Sequence, residues 1–319
     1  MPFRNWTLLI ALLVVSAAPL TLSAQPARSA APASEAIRKG RELTRAGDLQ
    51  GALAAYRQEL HTSPASAAAL NGTGVVLDLL GKTEEARSYF QKLIDLAASN
   101  PQRASNPQRV SAFRAMAMSY AFDSNCLKAT EYEEMALKIH EADGDAYNQG
   151  ERANEAARVC IEAGMLDQAE ALYRRGTELG LKESSIKPER VALWNFRLEH
   201  ALARLAARRN KPSEAQMHVV RAKAILDGNA EMAKEQASYF PYLTGYVAFW
   251  GGEFDIALTE LRNANQNDPF IQSLIGQAHE KKGDLAAAKE WYQKAASTTN
   301  HNPPAAFARP FATAKLKTI

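Results

Sequence analysis

Gly40-Arg-Glu-Leu-Thr-Arg-Ala-Gly47-Asp-Leu-Gln-Gly-Ala52-Leu-Ala-Ala-Tyr56 is answered 34 positions later by Gly74-Val-Val-Leu-Asp-Leu-Leu-Gly81-Lys-Thr-Glu-Glu-Ala86-Arg-Ser-Tyr-Phe90. The two stretches share a glycine, a second glycine seven residues on, an alanine five after that, and a large aromatic four later. The same frame returns at Gly245/Gly252/Ala257/Leu261 and at Gly276/Gly283/Ala288/Tyr292. Gly164/Ala169/Tyr173 carries its second half, with Ala157 in place of the early glycine. Apolar residues between these marks recur at spacings of three and four, the period of a helix with one buried face. Each frame therefore reads as two helices joined by a tight turn. The turn glycine takes the left-handed conformation that ends the first helix. The early Gly or Ala and the later Ala let the two helices cross closely. The aromatic fills the gap to the next hairpin. One such hairpin cannot bury its apolar face, so the units must stack.

These residues resemble the tetratricopeptide repeat family. The match is strong near 33–66, 67–100, 238–271 and 269–302, and good near 150–183. It is weaker near 110–143, where Ser124 stands at the turn and Glu133 replaces the aromatic, and near 196–229, where the turn is Asn210-Lys211-Pro212. What the resemblance implies is an all-α, right-handed superhelical solenoid of about seven antiparallel hairpins over residues 34–302, binding a protein or peptide in its concave groove. Extra residues at 101–109, 144–149, 184–195 and 230–237 interrupt the register. Pro188 to Arg209 reads as one long helix. The tail, 303–319, opens Pro303-Pro304, which argues against a regular helix at its start. Its Phe307 and Phe311 either pack over the last hairpin or stay loose.

The chain's first 24 residues carry a different message. Arg4 precedes an apolar run from Trp6 through Val15 and a small-residue site at Leu22-Ser23-Ala24. That order is a secretory signal of bacterial type, followed by a linker at 25–33. It predicts an exported protein, periplasmic or secreted, touching a membrane only if the segment stays uncleaved. In an oxidising compartment the only two cysteines, Cys126 and Cys160, either pair or pack as small buried thiols.

Composition narrows the function classes. Of 319 residues, 46% are hydrophobic and 23% charged, and 38 basic side chains against 35 acidic leave a net charge of +3. Such balance argues against nucleic acid as the main partner. The histidines lack short metal-ligand spacing and the cysteines form no Cys-x-x-Cys pair. There is no phosphate loop or nucleophile elbow. The expectation is a protein without cofactor or metal, and not an enzyme. Two alternatives are a factor acting on cell-envelope polymer, for which His200 with Glu155 or Glu162 is the one acid–base pairing available, and a self-associating array.

In the family the first helices of the hairpins line the groove. Carried onto this chain, they offer a basic and amide series, Arg41, Asn71, Arg114, Asn154, Arg158, His200 and Arg204. They also offer an aromatic stripe, Tyr239, Tyr242, Tyr246 and Trp250. Guanidinium and amide groups suit an extended peptide, and Tyr and Trp suit binding anchors. Two bland readings stand beside these: the stripe packs the core, and Arg41 with its neighbours Arg38 and Arg45 is a solvated face. The chaperone-tail clamp of some family members is not matched, since Ile37, Gly72, Ser111 and Ala115 occupy positions where it needs Lys, Asn or Arg.

Overall fold

In the five matching frames the turn glycine sits at positive φ, as at Gly47 (81°) and Gly283 (82°). In two of them the next residue caps the following helix: Asp48 Oδ1 accepts from the Gly51 N–H at 2.9 Å and Asp284 Oδ1 from the Ala287 N–H at 3.1 Å. In the two weak units Ser124 and Asn210 take the same left-handed position, at φ 55° and 56°. The turn geometry is thus kept where the sequence signal fades, at a modest conformational cost.

A computed structural model describes residues 33–99 and 105–319; the signal segment, most of the linker and residues 100–104 lie outside them. The described residues form sixteen helices and no strand. Seven hairpins follow in chain order: α1 (Glu35–Ala46) with α2 (Leu49–Thr62), α3 (Ala67–Leu79) with α4 (Thr83–Ser99), and α5 (Asn106–Phe122) with α6 (Cys126–Ala142). Next come α7 (Ala146–Glu162) with α8 (Leu166–Gly180), and α9 (Pro188–Arg208) with α10 (Pro212–Asp227). A short α11 (Ala230–Glu235) leads to α12 (Tyr239–Trp250) with α13 (Phe254–Asn263), then α14 (Pro269–Lys281) with α15 (Leu285–Ala296). Each hairpin packs on the next, the arrangement of a helical solenoid.

The notch-and-knob packing expected from the repeat is present atom for atom. A Cβ on Gly40 or on Gly72 would come within 2.6 Å of the Tyr56 ring, which therefore wedges between its own hairpin and the next. Phe90 fills the notch at Gly74 and Tyr292 the notch at Gly276 in the same way. All three rings are buried. In the long α9 the extra turns place Trp194, fully buried, against Gly150 and Gly180. Cys126, at the start of α6, and Cys160, near the end of α7, are joined by a disulfide that fastens the third hairpin to the fourth.

The tail departs from the sequence expectation. Residues 303–315 form a regular helix, α16 (Pro303–Lys315), beginning at the two prolines themselves. The first helical positions need no N–H of their own, and Asn302 caps the helix by accepting from the Ala305 N–H at 3.1 Å. This helix packs on α14 and α15 and also reaches α5 and α7. Its small residues Ala305, Ala306, Ala308 and Ala312 are buried. Arg309 Nε donates to the Leu79 carbonyl at the end of α3, 2.8 Å away. The tail thus ties the last hairpin back to the second, third and fourth.

Candidate functional site

A cavity of about 340 Å³ opens among α7, α9, α12 and the turn before α14. Six of the residues singled out by the sequence line it: Asn154, Arg158, His200, Arg204, Tyr239 and Tyr242. They gather there because Asn154 and Arg158 lie one turn apart on α7, as do His200 and Arg204 on α9, while Glu151–Arg197 and Glu162–Arg208 bridge α7 to α9 and α12 packs on α9.

Arg204 is the most unusual member. It is only 6% exposed, yet its guanidinium reaches hydroxyls rather than a carboxylate. Nη2 donates to Tyr173 Oη at 3.0 Å and Nη1 to Tyr242 Oη at 3.5 Å. Its Cζ also lies 5.6–5.9 Å from the ring centres of Tyr173, Tyr242 and Tyr246. His200, one turn earlier, donates from Nε2 to the Tyr239 carbonyl at 3.2 Å. Burial and then the Arg204 charge push its pKa well below 6.5, so the ring is neutral. Burial likewise lifts the Tyr242 hydroxyl to about 12. Arg158, half-buried, makes no hydrogen bond or ion pair with another described residue.

The carboxylates nearby are mostly committed. Glu151 pairs with Arg197. Glu155 takes a two-pronged grip from Arg114, at 2.8 and 3.2 Å, and also bonds Arg152. Burial opposes its charge, but Arg152 and Arg114 overcome that and hold its carboxyl below the usual range. Behind it, Glu133 is pushed well up by burial and by the Glu155 charge. Glu162 accepts from Arg208 at 3.3 Å and Tyr246 at 3.5 Å. The pairing of His200 with Glu155 or Glu162 that acid–base chemistry would use is therefore not made: each carboxylate is bonded to arginine, and the imidazole to a backbone carbonyl. Among the described residues no group of three or more His, Cys, Asp and Glu side chains is placed to hold a metal ion.

The structure separates the remaining sequence candidates. Arg114 is exposed but engaged with Glu155. Arg41 is exposed on α1 and Asn71 half-buried on α3, and neither lines the cavity. The aromatic stripe divides by position. Tyr242 and Tyr246 are core residues at 9% and 0% exposure, whereas Tyr239 and Trp250 are 54% and 40% exposed. Arg208 lies over the Trp250 ring, 4.4 Å from its centre. Sequence reading missed Tyr173, Phe196, Gln236, Asn265 and Asp268, which also line the cavity. Tyr173 was visible only as a repeat aromatic. Asn265 and Asp268 sit in the turn before α14, and Gln236 in an inter-repeat insertion, segments that carry no periodic signal.

Two segments match models of the tetratricopeptide repeat, residues 37–101 and 271–302. Solved structures of similar fold include the apo form of RapI, at 15% identity over 89% of this chain and 98% of that one, with a TM-score of 0.53. A Rap protein complexed with competence and sporulation factor is similar too, at 13% identity over 88% of this chain and 74% of that one, with a TM-score of 0.52. No curated protein matches the chain. The chain thus contains tetratricopeptide repeats, in an all-helical solenoid.

Proposed function

We propose that this tetratricopeptide-repeat solenoid is a non-enzymatic scaffold that captures an extended peptide or protein segment at the cavity among α7, α9 and α12. The observation that carries the reading is the cavity itself. It places the exposed ring of Tyr239, the uncommitted guanidinium of Arg158 and the Asn154 amide around one opening of about 340 Å³. That volume suits a few side chains of a partner, with an aromatic anchor and a few polar contacts to orient it. A Rap protein of similar fold is described with a bound factor, but the proposal rests on this chain's own residues.

The setting proposed is the cell envelope or the exterior. Arg4, the apolar run and Ala24 support export, and a buried Cys126–Cys160 disulfide suits an oxidising compartment. Mass spectrometry of the protein recovered from its own cells tests the setting: a chain starting at Gln25 in the envelope or medium supports it, and a full-length cytoplasmic chain refutes it.

Capture itself is tested by panning displayed random peptides against residues 25–319. The parent should enrich a defined set, and Tyr239→Ala should lose it while melting at the same temperature. A set retained equally by both proteins would place binding elsewhere.

A further inference from the structure

The cavity wall holds two guanidiniums, Arg158 and Arg204, that make no ion pair with another described residue. Glu151 and Glu155 on its wall are spent on Arg197, Arg114 and Arg152. What remains is two guanidiniums, Arg158 and Arg204, against one carboxylate, Asp268. Asp268 is itself occupied as the cap of α14, where its Oδ1 accepts from the Phe270 and Ile271 N–H groups at 2.8 and 3.4 Å. Burial raises its pKa, with Arg158 pulling the other way. His200 is neutral and adds nothing. Arg204 is buried to 94% of its surface and hydrogen-bonds only to tyrosine hydroxyls and a backbone carbonyl, while Glu162, which feels both guanidiniums, is bonded to Arg208 and Tyr246. A buried cation is costly unless a counter-charge joins it. On the same wall Asn154 turns its Oδ1 toward Gly176 of α8, where it is buried.

We propose that the counter-charge is a carboxylate of the captured peptide, held by Arg158 and Arg204. The inference rests on the peptide-capture reading above. Planar guanidiniums grip a carboxylate through paired hydrogen bonds. A dianion such as phosphate would bring two negative charges beside Asp268. The carboxylate can be the peptide's own C-terminus or an Asp or Glu side chain.

The test uses acetylated random hexapeptides, made once as free acids and once as C-terminal amides, with retention on immobilised residues 25–319 read by mass spectrometry. Carboxylate-bearing members should be enriched about tenfold over neutral amides, the size of one charge-assisted contact. Arg158→Gln should abolish the enrichment and Arg158→Lys should keep part of it, both variants melting as the parent does. Enrichment of free acids lacking Asp and Glu names the C-terminus as the source; enrichment of acidic amides names the side chain. Neutral amides retained as strongly as acids, with Arg158→Gln indifferent, would overturn the carboxylate and leave peptide capture standing. Retention of no peptide would overturn both.

Discussion

Asp78 and His301 stand 223 positions apart and meet through Oδ2 and Nε2 at 2.8 Å. Asp78, on α3, has no solvent-exposed side-chain surface, and Ser119 donates its hydroxyl to the other oxygen at 2.8 Å. The His301 ring lies between Phe90 and Phe122. In an open stack of repeats the ends are independent and each unit answers only to its neighbours. Here the residues leading into α16 lock the seventh hairpin onto the second and third.

The first prediction concerns this lock. His301→Ala leaves a buried carboxylate without its partner and should cost about 3–5 kcal/mol in chemical denaturation. The double variant Asp78→Ala/His301→Ala should cost less than the sum of the two single changes. Additive losses would mean that the pair is not coupled.

Stability should respond to pH through two buried groups of opposite sense. His200 has a folded pKa depressed below 6.5, so its contribution is complete above pH 6.5 and is lost as pH falls through the folded value. Glu133 has a pKa raised well above 4.5, so its contribution is complete below pH 4.5 and is lost as pH rises through the folded value. Melting curves from pH 4 to 8 should show a shallower loss on acidification from pH 6.5 in His200→Gln. They should show a shallower loss on the rise from pH 4.5 in Glu133→Gln.

The disulfide closes a 34-residue loop between α6 and α7. Loop-closure entropy then gives about 4 kcal/mol to the folded state. Reduction, or Cys126→Ala/Cys160→Ala, should lower stability by about that amount. A change near zero would show that helix packing alone fixes the third hairpin against the fourth.

Gly180 tests the notches. A Cβ there would fall 2.0 Å from Trp194 Cε2, inside a fully buried ring. Gly180→Ala should therefore destabilise by about 1–3 kcal/mol. Gly228→Ala, whose Cβ would meet only backbone oxygens at 3.6 Å or more, should be neutral or stabilising by up to about 1 kcal/mol.

The hairpins are legible in sequence because everything that makes them is local. A turn glycine, a capping Asp and a notch–knob pair such as Gly40 and Tyr56 lie within one repeat. The tail departs from its sequence pattern for an equally local reason, since Pro303 and Pro304 bar a helix interior but not a helix start. The division of the aromatic stripe was not legible at all. Tyr239 and Tyr242 differ by one turn of α12, and their spacing says nothing of which ring meets α9 and α14. The burial of Arg204 is hidden for the same reason, because Tyr173 and Tyr242 come to it from α8 and α12, two other hairpins. His301 finds Asp78 only once the intervening hairpins are stacked.

The central claim is that the cavity among α7, α9 and α12 captures peptide, and calorimetric titration of the strongest panned peptide tests it most directly. The titration is run with the parent, with Arg158→Gln and with Arg174→Gln, the last an exposed position on the second helix α8. The account predicts an affinity about tenfold weaker or worse in Arg158→Gln, the loss of one charged contact. It also predicts no change in Arg174→Gln, and equal melting temperatures throughout. No saturable binding to the parent, or an affinity left unchanged both by Arg158→Gln and by Tyr239→Ala titrated alongside, would contradict it.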